Sequence, residues 1–182
     1  MTALLFARND ALRIGRALET LRFPAEILVV DDQSSDRTVA VARQYGARVV
    51  PAGEFARCST IPTTQEWIFC LTPRESVSED LEAALFEWSL LPAGAVQPGE
   101  CFSVGVREDV DQAWTSHAQP ETRLVSRDWR IGPDGLPVPC PKALLLAGTI
   151  AGSRCPSPVR PYSDFGTQKT PSAAPIIVAY DL

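Results

Sequence analysis

Two adjacent aspartates, Asp31 and Asp32, stand directly behind the apolar run Glu26–Val30, and Asn9 and Asp10 stand behind a second run, Thr2–Ala7. Neighbouring carboxylates at the mouth of a buried strand repel, so a bound partner or solvent is expected there. Asn and Asp also serve as turn and cap residues, yet the same pattern behind two successive runs points to a ligand site. The single histidine, His117, rules out multi-histidine metal centres and is the one candidate partner for a Ser-His or Cys-His nucleophile pair. The five cysteines (Cys58, Cys70, Cys101, Cys140 and Cys155) are odd in number, widely spaced and without a C-x-x-C. Neither a disulfide framework nor a zinc site is expected from them.

The basic residues are 15 Arg and 2 Lys. Guanidinium forks suit anion recognition, although abundant Ala, Arg and Pro also accompany GC-rich coding. The net charge of −5 and a pI near 4.9 do not suit a sequence-independent nucleic-acid binder. With 182 residues, 45% hydrophobic and 21% charged, the chain has the size and composition of one globular domain. No stretch reaches the roughly 20 apolar residues of a membrane span. The apolar N-terminal run, Ala3–Ala7, is shorter than the roughly 7–15 residues of a signal-peptide core. A cytoplasmic location is expected.

The elements that position the aspartates follow from periodicity. Thr2–Ala7 reads as a buried parallel strand. Ala11–Arg22 carries Ile14, Ala17, Leu18 and Leu21 on one helical face, and Phe23-Pro24 ends it. Glu26–Val30 is a second strand. Ser34 or Ser35 is expected to cap a helix running through Val39 to Tyr45, which stops at Gly46. Arg48–Val50 is a third strand. Strand, helix, strand, helix, strand implies a parallel sheet with right-handed crossovers and ligands at the carboxyl ends. Further on, Glu54–Thr60 reads as a short helix and Glu66–Leu71 as a strand. A helix capped by the Ser76–Glu79 spacing runs to about Leu90. Cys101–Arg107 and Arg123–Ser126 are strands. Nine of the 16 prolines lie from Pro133 onward, a density that disfavours helices and central strands. The expected organisation is therefore a domain over 1–132 and a proline-rich extension over 133–182, packed on the domain or on a partner subunit. Ile176–Tyr180 is the one late strand-like run. Neither G-x-G-x-x-G nor G-x-x-x-x-G-K occurs.

Several segments resemble family 2 glycosyltransferases. Asn9-Asp10 followed by Ile14-Gly15-Arg16-Ala17-Leu18-Glu19-Thr20-Leu21 is similar to the family's opening "N-E … I-x-x-x-L-x-S-L". Glu26-Ile27-Leu28-Val29-Val30-Asp31-Asp32-Gln33-Ser34-Ser35-Asp36-Arg37-Thr38 resembles its "E-I-I-V-V-D-D-G-S-T-D-x-T" signature, and Tyr45-Gly46-Ala47-Arg48-Val49 its "Y-G-A-x-V". Arg123-Leu124-Val125-Ser126-Arg127 resembles the "R-L-F-x-R" of a bacterial branch. The resemblance implies an α/β, single-domain GT-A fold, with a mostly parallel sheet flanked by helices. It implies a UDP- or GDP-linked sugar as ligand, and an acceptor that is a glycan, a lipid or a small molecule. Ala7, Arg8 and Asn9 would flank the base, and Asp31 or Asp32 would accept hydrogen bonds from uracil or ribose. Transfer would proceed by direct displacement with inversion.

The family's metal-holding D-x-D follows its "W-I-L-x-L" strand. Here the register Trp67-Ile68-Phe69-Cys70-Leu71-Thr72-Pro73-Arg74-Glu75-Ser76-Val77-Ser78 puts Thr72 and Arg74 at those two places. A divalent cation needs hard oxygen ligands, so no Mn or Mg cofactor is expected. Arg74 would instead pair with the diphosphate, or the site is inactive and the chain serves as a scaffold or regulatory subunit; by itself Arg74 also reads as a solvated surface arginine. A second copy of the chain is one candidate partner, through Ile176–Tyr180. A nucleotidyltransferase is a third, weaker fit for want of a phosphate loop. For the acceptor base the candidates are Asp134, inside a Pro-Asp-Gly turn signature, and Asp109 in the acidic stretch Glu108, Asp109, Asp111, which reads as a loop.

Overall fold

The computed structural model describes residues 1–92, 95–96, 99–110 and 113–153. The strand-like run at 176–180 and Asp111 lie outside the described residues. β1 (Thr2–Ala7), β2 (Glu26–Asp31), β3 (Arg48–Pro51) and β4 (Trp67–Cys70) pair in parallel in the order β3-β2-β1-β4. Between them run α1 (Ile14–Glu19), α2 (Thr38–Gln44) and α3 (Ala52–Phe55). This is the α/β sheet expected from the sequence. α1 is shorter than its pattern over Ala11–Arg22, α2 lies one residue before the expected Val39–Tyr45, and α3 begins and ends ahead of the expected Glu54–Thr60. In α1 the segment 11–13 forms a turn over Asp10, whose carbonyl accepts from the Arg13 and Ile14 amides.

β5 (Glu75–Val77) is followed by α4 (Glu79–Ser89), and then by β6 (Phe102–Val110), β7 (Ala113–Ser116), β8 (Glu121–Ser126) and β9 (Leu144–Ser153). They extend the sheet as β4-β8-β6-β9-β5, with β7 paired to β6. Here the pairing is antiparallel except between β6 and β9. Laid flat, β4 and β5 would stand about 19 Å apart, four steps of about 4.8 Å. The five-residue link from Cys70 to Glu75 reaches about 18 Å when fully extended, and it contains a tight turn in which the Glu75 amide donates to the Thr72 carbonyl (3.1 Å). The sheet therefore curls, bringing β5 back toward β4.

Alternation along β1 builds a core on each face. Ala3, Leu5 and Ala7 join Ile14, Ala17, Leu18 and Ala42 beneath the helices, and this cluster continues through Phe69, Leu124, Val104 and Ile150 to Leu81 and Leu85 of α4. Leu4 faces the other way, with Leu28, Val30, Ile68, Cys70 and Val125. α4 sits so close to β9 that a Cβ on Gly148 (φ +88) would lie 2.3 Å from the Leu81 nitrogen, so only glycine fits. The cap of α4 is Ser78, whose Oγ accepts from the Leu81 amide (3.3 Å); Ser76, expected in that role, is taken up by the pairing of β5 with β9.

Two further expectations are corrected. Cys101 and Cys140 form a disulfide across a separation of 39 residues. Odd parity concealed it, because the pairing is made by the fold: the Leu144 amide donates to the Cys101 carbonyl and brings the segment before β9 against β6. Glu108 and Asp109 lie in strand β6, with Asp109 opposite Trp114, where a loop was expected. β9 is itself an unforeseen late strand. Its ten residues contain no proline and lie between proline-rich segments.

Candidate functional site

The carboxyl ends of β1 and β2 are tied together by short polar side chains. Asn9 takes a left-handed backbone (φ 53). Its amide donates to Ser34 Oγ (3.0 Å), and its Oδ1 accepts from the Ser35 amide (2.8 Å). The Asp10 amide donates to Thr38 Oγ1 (2.7 Å), and the Ala11 amide to Asp36 Oδ2 (3.1 Å). Asp36 also accepts from the Thr38 amide (2.9 Å) and hydroxyl. Burial raises its pKa, and these hydrogen bonds together outweigh it, holding the carboxyl below its ordinary range. Ser34 and Ser35, expected as helix caps, thus hold Asn9, and α2 begins without a side-chain cap. Gln33 is also left-handed (φ 54).

Of the candidate residues, Ala7, Arg8, Asn9, Asp31 and Asp32 are gathered at this one rim. Arg8 Nη1 meets Asp32 Oδ2 at 3.1 Å, and the Asp32 amide donates to the Ala7 carbonyl (2.9 Å). Asp31 Oδ2 accepts from the Ser34 amide (3.2 Å), while Asp31 Oδ1 is buried and has no partner. A buried carboxylate oxygen without a donor costs on the order of 1–3 kcal/mol. Arg74 lies in the turn after β4, on the other side of β1. Two strand spacings, about 10 Å, separate the ends of β2 and β4, within reach of one nucleoside diphosphate.

Asp134 occupies a turn. Its Oδ1 accepts from the Leu136 amide (3.1 Å), and the turn lies so close to Phe6 that a Cβ on Gly135 would meet that ring at 2.7 Å. Asp134 therefore sits near the end of β1, with its carboxylate engaged in its own turn. Asp109 Oδ1 is buried without a partner, and nothing brings it to the Asp31 rim. Burial pushes the Cys70 thiol up to about 12, an unreactive state. A separate cleft of about 330 Å³, lined by Met1, Gln65, Trp67 and Trp88 among others, opens at the amino ends of β1 and β4, away from this rim.

Sequence reasoning did not foresee a buried ion pair. Arg123, 1% exposed, donates two hydrogen bonds to Glu75 (2.9 and 2.7 Å) and a third to Glu121 (2.7 Å). Burial works against the guanidinium charge, and Glu75 with Glu121 more than restores it. Glu75 Oε2 also accepts from the Thr72 amide (2.8 Å), closing the turn that carries Arg74. The available signal was an arginine set within the otherwise strand-forming run Thr122–Val125.

No protein-family model matches the chain. Over 89 residues it is 30% identical to an uncharacterised glycosyltransferase of Rickettsia felis and 33% identical to one of Rickettsia bellii. Each alignment covers 45% of this chain and, respectively, 31% and 30% of the relative. Over 53 residues it is 42% identical to the 4,4'-diaponeurosporenoate glycosyltransferase of Staphylococcus aureus, covering 28% of this chain and 14% of that one. The matched part thus spans about a third or less of the relatives' lengths. Among solved structures, glucosyl-3-phosphoglycerate synthase from Mycobacterium tuberculosis, in complex with Mn2+, UDP and glucosyl-3-phosphoglycerate, gives a TM-score of 0.40 at 17% identity. That match covers 59% of this chain and 42% of the other. Mannosyl-3-phosphoglycerate synthase from Rubrobacter xylanophilus gives 0.39 at 19% identity, covering 59% and 38%. Over part of its length, then, the chain is glycosyltransferase-like in sequence. Among the described residues no helix is long and apolar enough to cross a membrane, and no group of three or more His, Cys, Asp or Glu is placed to hold a metal ion.

Proposed function

We propose that the chain binds a nucleoside diphosphate sugar on a GT-A-type scaffold, at the carboxyl ends of β1, β2 and β4. The observation that carries this reading is Asp31 Oδ1, a buried acceptor without a donor at the rim of a parallel sheet. A base imino group or a ribose hydroxyl supplies the missing donor. Asn9 and Arg8 flank that point, and Arg74 faces the diphosphate.

Thr72 and Arg74 stand where the resembled family holds its metal. One neutral hydroxyl and one cation do not fit a divalent ion. The charge on the diphosphate falls to Arg74, whose fork suits phosphate oxygens. In transfer, the acceptor oxygen would bond to the anomeric carbon as the bond to the diphosphate breaks, and a carboxylate would take the acceptor's proton. The engagement of Asp134 in its own turn favours a second reading, a scaffold that binds nucleotide without transferring.

Isothermal calorimetry with UDP and with GDP, with Mn2+ and with EDTA, tests the proposal. Binding in EDTA is expected, weakened about tenfold or more by Asp31→Asn, which puts a donor where an acceptor is required. Arg74→Ala is expected to weaken it by about tenfold as well. Absence of binding to either nucleotide under every condition overturns the proposal.

A further inference from the structure

The registers of β6 and β8 do not advance together. Phe102 faces Leu124 while Ser103 faces Thr122, so Arg123 is the extra residue of a β-bulge. Bulges re-aim side chains, and this one sends Arg123 across the curl of the sheet to Glu75 on β5. The pair joins a longer chain of contacts. The same Arg123 Nη2 that donates to Glu75 Oε1 (2.7 Å) also donates to Glu121 Oε2 (2.7 Å). Glu121 Oε1 accepts from His117 Nδ1 (2.7 Å). At the inner end, Glu75 holds the Thr72 amide and so closes the Thr72–Glu75 turn.

We propose that Arg123 is a positioning residue that sets, through Glu75, the place of the turn carrying Arg74, and that protonation of His117 is transmitted to this turn through Glu121 and Arg123. The link from His117 to the turn stands on geometry alone; its consequence for nucleotide binding rests on the function proposed above. Two carboxylates divide one Arg123 nitrogen. A charged His117 draws Glu121 toward itself and leaves Arg123 more fully to Glu75, which tightens the turn. A neutral His117 releases Glu121 to compete for Arg123, which loosens it.

The charged groups facing the imidazole are Glu121 from β8 and Glu108 from β6, the latter 3.5 Å from Nε2. Arg123 stands behind Glu121. A Cβ on Gly152 of β9 would lie 3.5 Å from Glu108 Cγ and 3.9 Å from Glu75 Cγ, so both of these glutamates lie against the same point of β9. On β7 the residues Trp114–Ser116 carry no charge, and Arg107 is stacked on Trp114 with its guanidinium 5.7 Å from the ring centre. The Glu121 hydrogen bond, opposed by partial burial and aided by the Glu108 charge, raises His117 above its ordinary value of 6.5.

The test is amide NMR of the full chain across about pH 5.5–9, a window centred on imidazole titration. Wild type is compared with His117→Gln and Arg123→Lys. The Thr72 and Glu75 amides are expected to follow the His117 ring in one common step that His117→Gln abolishes. Arg123→Lys keeps the charge without the bidentate fork and is expected to shrink the step. UDP affinity is expected to fall about threefold from the acid to the alkaline side of the step in wild type, and to stay flat in His117→Gln. A Thr72 amide that is flat while the ring titrates, or that titrates equally in His117→Gln, overturns the proposal. So does an unchanged step in folded Arg123→Lys. Failure of UDP to bind sinks the functional reading but leaves the amide titration standing, and a flat Thr72 amide with UDP bound sinks the linkage alone.

Discussion

From β3 to β4 in sheet order, strands run parallel and their rim is tied by hydrogen bonds among Asn9, Ser34, Ser35, Asp36 and Thr38, many of them exposed. From β8 to β5 the pairing is mixed, and the sheet is held by a bulge, a disulfide and a buried ion pair that bridges 48 residues of sequence. The first region distributes its stability over apolar periodicity, and the candidate site rides on its edge. The second concentrates it in a few long-range links. Single substitutions should therefore strike the two regions unequally.

The largest effect is expected at the buried pair. Arg123→Ala leaves Glu75 buried without its counter-ion, a loss of about 3–5 kcal/mol in urea unfolding. Arg8→Ala removes an ion pair whose arginine is 54% exposed, and about 1 kcal/mol or less is expected. Replacing both partners, with Arg123→Met and Glu75→Leu, should recover most of the loss, since well-packed apolar residues match many buried pairs. Equal costs for Arg123→Ala and Arg8→Ala would erase the contrast between the regions.

Next comes the disulfide. Closing a loop of 39 residues restricts the unfolded chain by about 2–4 kcal/mol. Cys140→Ser should lower stability by that amount, and wild type in reductant should match it. Cys58→Ser, at an exposed free cysteine, should change stability by no more than about 0.5 kcal/mol. Thermal unfolding of the three proteins with and without reductant checks both statements.

The same division explains what the sequence disclosed. β1, α1, β2, α2 and β3 were legible because each is bounded by its own breakers: Asn9-Asp10, Phe23-Pro24 and Gly46. The gathering of Ala7, Arg8, Asn9, Asp31 and Asp32 at one rim followed from parallel strand order. Elsewhere the deciding contacts are distant. Ser76 and Ser78 both precede α4, and only the pairing of Ser76 with Ala151 settles which one caps it. Arg123 looks like a polar interruption until the bulge and Glu75 are placed. β9 lies within proline-rich sequence and is fixed by β6 and β5, whose residues are more than 30 positions away. Ser34 and Ser35 illustrate a local failure. Their type suits a cap, but Asn9 competes for them and wins.

The smallest and sharpest test is inside the candidate rim. Asn9 and Gln33 share one left-handed backbone conformation, φ 53 and 54, which costs an L-residue about 1–2 kcal/mol. Gln33 stands where the resembled signature has glycine, and none of its described hydrogen bonds uses its side chain. Gln33→Gly relieves that strain and gives back about 0.5–1 kcal/mol through the freer unfolded chain. A net gain of about 0.5 kcal/mol in urea unfolding is expected. Asn9 differs because asparagine tolerates this region and its Oδ1 receives the Ser35 amide. Asn9→Gly relieves little and loses that bond, so a net loss of about 1 kcal/mol is expected. Opposite signs at two matched φ values would show that the β2 end carries strain while the β1 end is held by its side chain. A gain at both positions would mean that the Asn9–Ser35 bond contributes nothing to the rim, and a loss at both that Gln33 carries no strain.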